Sequence, residues 1–440
     1  MKNTAIFMGA ACAAFLALSV FLPLQAQDFN LDSRLKKHVV YLCSDSLHGR
    51  QAGSVYEEKA AEYVLDAFAR YGLDISGEYG MQPFSVNLPD GTIDSRNVVG
   101  VIPGYDPVLC GHYIVIGAHL DNLGENVLTV DGKRTAQIYY GADNDASGLA
   151  LLVELARLAA ENDFMFKRTL VFVAFGASEQ MQSGAWCFLN MSFPDKDRID
   201  MMINLDMLGR GARGGNEFSI YAASNSDVED FIKVFSENLR PLVPRLVMQD
   251  YYPGDHRVFL HSGIPSVLFT TGPHPEYNTV RDTEDLIDYR TMSYAADYIY
   301  GFMLAAANMD KPFRFNSPGS DEAVYTMADC DVPPKYFNNT DLGKFMNEWV
   351  YTYLKYPQEA VDKGIQGTVD VSFIVEKNGE VTNVKVERGV DPLLDDEAVK
   401  VISVSPKWKA GIRKGQKVRT KITVPVEFRL AKGNAGRFGF

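Results

Sequence analysis

Apolar positions between residues 33 and 309 alternate between short continuous runs and longer stretches with helical spacing. The run from Tyr113 to Ala118 has the length and composition of a buried strand, and the stretch from Gly148 has the spacing of a helix. Continuous apolar strands separated by helices are typical of a mostly parallel sheet with both faces covered. The pattern therefore predicts an α/β fold with a mostly parallel, mixed sheet and helices on both faces. Its strands are expected to begin at Tyr113, Thr169, Met201, Phe218 and Ser266.

The pattern changes after residues 311–323, whose mixture of Pro, Gly, Ser and charged residues predicts a linker. Beyond them, apolar residues alternate on both sides of an Asn378–Gly379 pair, which is a strong β-hairpin signal. A short helix and a last alternating strand follow. Pro425 in that strand removes a backbone donor, so we expect an edge position there. The pattern predicts a small C-terminal α+β domain. The expected boundaries are a signal peptide at 1–26, an N-terminal domain at 27–310, a linker at 311–325 and the C-terminal domain at 326–440.

Length and charge agree with two units that have different surfaces. A chain of 440 residues is longer than one ordinary hydrophobic core requires. The net charge is −13, but residues 341–440 hold 17 Lys and Arg against 13 Asp and Glu, whereas residues 1–340 hold 26 against 43. The acidic surface of the larger part argues against a nucleic acid as its partner.

The N-terminus has the pattern of a secretory signal. Lys2 precedes an apolar run from Ala5 to Leu24, and cleavage is expected after Ala26 or Gln27. Cleavage would make the protein periplasmic or secreted. The alternative is an uncleaved membrane anchor, because the run approaches the ~20 residues that span a bilayer.

Four polar side chains lie where strands of the predicted sheet end. His119 follows the first run, Asp143 precedes a helix, and Glu179 and Asp206 follow two later runs. Sites in open α/β sheets form beyond the carboxyl ends of the strands. One imidazole and two carboxylates with an open fourth position form the expected ligand set of a catalytic zinc ion. Asp121, two residues after His119, is placed to orient the imidazole.

An ordered set of short motifs then makes the N-terminal domain recognisable. The motifs include SRNVVGVIPG, VIGAHLDNLG, GADNDASGLALLVELAR, VFVAFGASEQ, MINLDMLGR and HPEYNTVRDTEDLID. Their order resembles that of the co-catalytic zinc aminopeptidases of metallopeptidase family M28, a family that also includes glutaminyl cyclase relatives. The resemblance covers roughly Ser33 to Met309. It implies an exopeptidase outside the cytoplasm, acting on peptides with two zinc ions bridged by one Asp.

The resemblance assigns roles to the residues at the strand ends. Asp143 would be the bridging ligand, and His119 and Asp206 would complete the first metal site. Glu179 would be the general base. The second metal would use the positions of Gln180 and Asn278, where the family has Glu and His.

Both private ligands of the second metal are therefore replaced by neutral amides, while the first set is kept. We predict one tightly bound zinc ion and a second site that is absent or holds a hard cation weakly, because amide oxygens suit Ca²⁺ or Mg²⁺ better than zinc. The expected function is a metal-dependent aminopeptidase. The alternative is an inactive, peptidase-like protein that binds peptides.

The C-terminal domain carries a second resemblance, from about Asp331 to Leu430. The stretches LKYPQEAVDKGIQGTVDVSFIVEKNGEVTNVKVERGVDPLLDDEAV, SPKWKAG and KVRTKITVPVEFRL resemble the C-terminal domain of the energy transducer TonB. The Pro-rich spacer of a transducer is missing from this sequence. The domain is therefore interpreted as a docking or peptide-binding module for an outer-membrane or periplasmic protein. The alternative is an appendage that shields the peptidase cleft.

Overall fold

The computed structural model of the chain describes residues 30–77, 79–88, 91–130, 133–211, 217–222, 227–236, 243–247, 253–313 and 324–430. The expected signal peptide and most of the expected linker lie outside these residues. Within the described ranges, no helix is both long and apolar enough to cross a membrane.

The elements of the N-terminal domain alternate between strands and helices, as the apolar pattern predicts. The strands are β1 (Gly80–Leu88), β2 (Gly91–Ile102), β3 (Tyr113–His119), β4 (Glu125–Val130), β5 (Lys133–Ile138), β6 (Thr169–Phe175), β7 (Ile199–Leu205), β8 (Glu217–Ala222), β9 (Val243–Val247) and β10 (Ser266–Thr270). The helices are α1 (Leu31–Leu42), α2 (Val55–Tyr71), α3 (Gly148–Ala160), α4 (Ser183–Cys187), α5 (Asp227–Ser236), α6 (His256–His261) and α7 (Tyr289–Ala307).

One mixed sheet forms the centre of this domain. Its strand order is β1-β2-β6-β3-β7-β10-β8-β9, and β6, β3, β7 and β10 run parallel at its middle. Alternate residues of β3 enter different cores. Ile114 and Ile116 pack with α1, α2, α3 and α7, whereas Val115 packs with α4 and α6. The prediction of a mixed, mostly parallel sheet with helices on both faces is therefore confirmed.

A buried carboxylate joins α3 to α1. The Glu154 side chain of α3 is fully buried and accepts hydrogen bonds from Arg34 and His38 of α1 and from Arg157 of its own helix, at 2.8, 2.9 and 2.8 Å. Burial alone would raise the pKa of Glu154, but these three hydrogen bonds outweigh it and hold the pKa at about 2. The carboxylate is therefore charged at neutral pH and fixes the helix pair.

The C-terminal domain has its own sheet and its own hydrophobic core. Its strands are β11 (Tyr325–Thr326), β12 (Gly367–Val375), β13 (Val381–Arg388), β14 (Gly411–Arg413), β15 (Gln416–Val418) and β16 (Thr420–Phe428). Its helices are α8 (Leu342–Phe345), α9 (Tyr351–Tyr353), α10 (Gln358–Asp362) and α11 (Pro392–Ser403). The main sheet has the order β11-β16-β12-β13.

Two sequence signals in this domain have different outcomes. The hairpin predicted at Asn378–Gly379 joins β12 to β13, and Gly379 has a φ of 90° that favours glycine. The edge position expected from Pro425 is wrong for β16 as a whole, because that strand lies between β11 and β12. However, β11 pairs only with Thr420 and Lys421, so Pro425 lies beyond that short pairing.

Candidate active site

A cavity of about 100 Å³ lies at the edge where the parallel strands end. His119 is the last residue of β3, Asp206 directly follows β7, and Glu179 lies four residues after the end of β6. The structure therefore brings together three of the predicted site residues, as the topology of an open α/β sheet requires. The cavity is lined by these three residues and, among others, by Asn144, Asp255 and Tyr277.

His119 presents an unprotonated nitrogen to this cavity. Its Nδ1 lies 2.9 Å from the backbone carbonyl oxygen of Asp121, which only accepts hydrogen bonds, so Nδ1 must carry a proton. Burial lowers the pKa of His119, which keeps the imidazole neutral. The single proton of the ring is therefore on Nδ1, and the lone pair of Nε2 points toward the side-chain oxygen of Asn144, 2.9 Å away.

The orientation of the Asn144 amide is set by two other hydrogen bonds. Its Nδ2 donates to Glu179 Oε1 at 3.0 Å and to Asn278 Oδ1 at 2.8 Å. The oxygen of Asn144 must consequently face His119. The backbone N–H of Asn144 donates to Asp282 at 3.0 Å, which anchors the loop beneath it.

Asp143 does not join this cluster, and its assignment as the bridging ligand is corrected. Its Oδ1 accepts from the backbone of Gly209 at 2.6 Å and from Ser147 Oγ at 2.9 Å, and its Oδ2 lies 3.2 Å from His274 Nε2. The neighbouring Asn144 takes the place beside His119 instead. The sequence places this loop between β5 and α3 but cannot set which of its consecutive polar residues faces the cavity.

Asp145, the third polar residue of the loop, also has a structural role. His119, Asp145 and Asp206 offer potential metal-binding atoms that all lie within 4.8 Å of one another. The carboxylate of Asp145, however, accepts hydrogen bonds from the backbone N–H groups of His119, Gly148 and Met207, at 3.0–3.1 Å. These bonds occupy both of its oxygens and fix the loop to the ends of β3 and β7.

Asp206 carries a buried oxygen that lacks a hydrogen-bond donor among the described residues. The residue is 5% exposed, and its Oδ1 has no hydrogen-bond partner there. Burial raises the pKa of Asp206, and the nearby charges of Asp255 and Glu179 raise it further. A buried carboxylate of this kind costs free energy unless a cation or a proton compensates it.

Asp121 orients the site in a way that differs from the expectation. Its backbone carbonyl, rather than its carboxylate, holds the His119 ring. The carboxylate accepts from the backbone N–H groups of Ser178 at 2.8 Å and Glu179 at 3.2 Å. Asp121 therefore fixes both the imidazole and the Glu179 loop, and it is not among the residues that line the cavity.

The two amides expected at the second metal site are separated. Asn278 reaches the cluster through its hydrogen bond with Asn144, whereas Gln182 lines the cavity and Gln180 does not. The backbone N–H of Gln180 donates to Ala177 in a tight turn. In the described part of the chain, the one group of three potential metal-binding residues is that of His119, Asp145 and Asp206. The number of metal ions stays a prediction.

Asp255 and Tyr277 were missed by the sequence analysis. Ser178 Oγ donates to both oxygens of Asp255 at 2.9 and 3.0 Å, and burial, together with the charge of Glu179, raises the pKa of Asp255 to about 7. Burial, followed by the charges of Glu179 and Asp206, raises the pKa of Tyr277 to about 12. An Asp directly before a short helix looks like an ordinary cap, so the sequence offered no specific signal for Asp255.

The donor set beside His119 fits one divalent cation. Two lone pairs, on His119 Nε2 and Asn144 Oδ1, face each other at 2.9 Å, and Asp206 lines the same cavity. Such a contact is repulsive unless a proton or a cation lies between the two atoms, and burial disfavours the extra proton on His119. One nitrogen and two oxygen ligands suit zinc, although a single carboxylate supplies little negative charge.

Comparisons with known proteins agree with this geometry. Residues 97–303 match the model of peptidase family M28, and residues 352–430 match the model of the Gram-negative bacterial TonB protein C-terminal domain. The uncharacterised protein YfbL of Escherichia coli (strain K12) is 26% identical over 301 residues, which cover 60% of this chain and 85% of YfbL.

Two further similarities concern a fungal relative and a solved structure. A probable zinc metalloprotease of Pyrenophora tritici-repentis is 28% identical over 240 residues, which cover 44% of this chain and 54% of that protein. The chain thus spans about half the length of this relative. The solved structure of BSAP, a zinc aminopeptidase from Bacillus subtilis, has a TM-score of 0.51 at 14% identity and covers 65% of this chain and 97% of its own. This similarity shows the shared fold.

Proposed function

We propose that this protein is an aminopeptidase that removes N-terminal residues from peptides outside the cytoplasm with one bound cation, because residues 97–303 match the model of peptidase family M28. The names of its relatives support a zinc-dependent peptidase. The observation that carries the one-cation proposal is the 2.9 Å contact of His119 Nε2 with Asn144 Oδ1, without a donor between them, in a cavity that the Asp206 carboxylate also lines.

The proposed ligands of the cation are therefore His119, Asn144 and Asp206. A zinc ion bound there would polarise a peptide carbonyl group and lower the pKa of a water molecule. Asn144 replaces the carboxylate that the sequence predicts, at Asp143, for this ligand set. The neutral amide lowers the total negative charge around the cation, so we expect weaker binding than at a site with two carboxylates.

Glu179 is proposed as the general base. Asn144 Nδ2 holds its Oε1 at 3.0 Å, which leaves Oε2 to accept a proton from the attacking water molecule. The backbone of Glu179 is fixed by the carboxylate of Asp121, so the base is held on a loop that is anchored to the end of β3. A positioned base of this kind typically contributes ~10²–10⁴-fold to the rate.

The remaining groups of the cavity are suited to a peptide with a free amino terminus. Glu179, Asp206 and Asp255 form an acidic wall, and a substrate ammonium group beside them would be attracted to their carboxylates and would favour the charged forms of Asp206 and Asp255. Tyr277, whose pKa of about 12 keeps its hydroxyl protonated at neutral pH, can donate a hydrogen bond to a substrate carbonyl group.

A second candidate function is peptide binding without turnover. Asn144 Nδ2 donates to Glu179 Oε1 and Asn278 Oδ1, and this neutral amide network fills the space beside His119 with ordinary hydrogen bonds. In this alternative the cavity keeps its acidic wall and recognises amino termini, but no cation is held.

The location and the docking partner extend the same proposal. The apolar run before Gln27 supports export, and the TonB-like C-terminal domain supports docking to an outer-membrane or periplasmic protein. Detection of the mature protein in a periplasmic or secreted fraction, with an N-terminus at Gln27 or Asp28, is the expected result. Recovery of the uncleaved chain in the membrane fraction would support the anchor instead.

Turnover of aminoacyl substrates by the zinc-loaded protein tests the enzymatic proposal. We expect hydrolysis of an aminoacyl-p-nitroanilide that ceases after chelation, and Glu179→Gln should lower kcat by ~10²–10⁴-fold without loss of zinc binding. The control variant is Glu161→Gln, an exposed change directly after α3 that should leave kcat unaltered. Saturable peptide binding without turnover by the zinc-loaded wild type would instead support the second candidate.

A further inference from the structure

The C-terminal domain contacts the N-terminal domain on the elements that carry the walls of the cavity. Helix α11 reaches α4, where Lys400 Nζ lies 5.7 Å from the centre of the Trp186 ring. Strand β13 lies against α6. These are two separate contacts, made by different parts of one small domain.

The first contact is continuous with the loop that holds Glu179. Helix α4 begins at Ser183, directly after the cavity residue Gln182. Trp186 is 7% exposed and packs in the core beneath the sheet, so the Lys400 contact is made on a side chain of that core. The charges of Lys400 and Glu397 on α11 also act on Cys187, the last residue of α4. Helix α11 therefore lies close to the C-terminal end of α4.

The second contact is continuous with Asp255. Helix α6 begins at His256, so the cavity residue Asp255 directly precedes the helix that β13 touches. Ser178 Oγ donates to Asp255, and this hydrogen bond links the wall at α6 to the Glu179 loop. The two walls are thereby one hydrogen-bonded unit, and each of them continues into an element that the C-terminal domain contacts.

The Glu179 loop needs such support because its backbone is strained. Ala177, Met181 and Gln182 have φ values of 50°, 60° and 53°, a left-handed conformation that is unfavourable for non-glycine residues. Strained segments persist when the surrounding structure holds them in place. The hydrogen bonds of Asp121 hold one end of the loop, and α4 continues from the other end.

We propose that the C-terminal domain is a positioning element of the cavity, which holds the Glu179 loop and Asp255 in place through the contact of Lys400 with Trp186 and of β13 with α6. The TonB-like domain is on this account part of the machinery of the N-terminal domain, in addition to any docking role. A partner that pulls α11 or β13 away from the N-terminal domain would then loosen both walls of the cavity. This inference concerns the fold of the cavity and holds whether or not the protein turns over a peptide.

Hydrogen exchange of the full chain, with and without Lys400→Ala, tests the proposal. A cation–π contact of this kind is worth about 0.5–1 kcal/mol, so residues 177–187 should exchange about two- to fivefold faster in the variant. Residues 255–261 should accelerate with them, whereas α3 should keep its rate. Lys400→Arg should restore the wild-type rates, because a guanidinium also stacks on the ring.

The control is Lys344→Ala, which removes a lysine paired with Glu348 within the C-terminal domain. It should leave both segments unchanged. If the protein is active, Lys400→Ala should lower kcat more than it changes KM, since the base and not the entrance is affected. Unchanged exchange at 177–187 and 255–261 in Lys400→Ala, or equal acceleration in Lys344→Ala, would overturn the proposal.

Discussion

At the scale of single residues, the side-chain amide of Asn144 is the central group of the cavity. Asn144 contacts His119, Glu179 and Asn278 through its side chain, so it connects a proposed ligand, the proposed base and a position that the sequence analysis assigned to a second metal. Its oxygen can bind a cation without adding charge. On the one-cation proposal, Asn144 would therefore supply an oxygen ligand but no negative charge.

Restoring a carboxylate at this position should strengthen cation binding. We predict that Asn144→Asp raises zinc affinity by roughly 10- to 100-fold, because a charge–charge interaction replaces a charge–dipole interaction in a buried cavity. Competition with a chelator of known affinity measures the change. The control Asn347→Asp, at an exposed position of the C-terminal domain, should have no effect. Equal zinc affinity in Asn144→Asp and wild type would remove Asn144 from the ligand set.

The sequence predicts single site residues where a strand fixes their direction. His119, Glu179 and Asp206 follow strands with strong apolar patterns, and all three line the cavity. The prediction for Asp143 does not match the structure, because the backbone of the loop sets which of its consecutive residues faces the cavity. That backbone is held by hydrogen bonds from N–H groups to the carboxylates of Asp282 and Asp145. Contacts of this kind are made by residues distant in sequence.

At the scale of elements, the N-terminal domain depends on how its helices are fixed to the sheet. Helices α1 and α3 share the buried carboxylate of Glu154, and α3 begins directly after the loop that carries Asn144. The pair of α1 and α3 therefore fixes the helix that follows the Asn144 loop. Its electrostatic stabilisation requires a charged Glu154.

The contribution of Glu154 should depend on pH. Its folded-state pKa of about 2 lies below the ordinary value of 4.5, so its stabilisation is complete above pH 4.5 and is lost as the pH falls toward 2. We predict that Glu154→Gln lowers the free energy of unfolding of the N-terminal domain by about 3 kcal/mol at pH 7 and by less at pH 3.

Denaturant unfolding at both pH values measures this effect. Glu161→Gln is the control, because the Glu161 side chain is 57% exposed and pairs with Arg157 at the surface. It should cost less than about 1 kcal/mol at either pH. A loss of stability in Glu154→Gln that is the same at pH 3 and pH 7 would contradict the proposed electrostatic origin.

Elements with strong apolar periodicity are predicted well from the sequence, and elements without it are not. The strand at Thr169–Phe175 and the helix from Gly148 have the predicted positions. The hairpin of β4 and β5 follows His119 without an apolar run of its own, so its pairing is not visible in the sequence. The placement of β16 inside its sheet depends on β11, a two-residue strand without a local signal.

At the scale of the whole molecule, two domains with separate cores meet on the elements around the cavity. The acidic N-terminal part and the basic C-terminal part were expected from the charges, but their contact was not. A contact between domains depends on surfaces from distant parts of the chain, and no local pattern marks it. The resulting arrangement makes the C-terminal domain a neighbour of the Glu179 loop.

The central claim is that the cavity holds one cation on His119, Asn144 and Asp206, and zinc stoichiometry by calorimetry tests it most directly. We predict one zinc ion per full-length chain and none in His119→Ala. Asp143→Asn should keep one zinc ion, because Asp143 accepts hydrogen bonds from Gly209 and Ser147 and does not line the cavity. Two zinc ions per wild-type chain, no zinc in the wild type, or loss of zinc in Asp143→Asn would contradict the account.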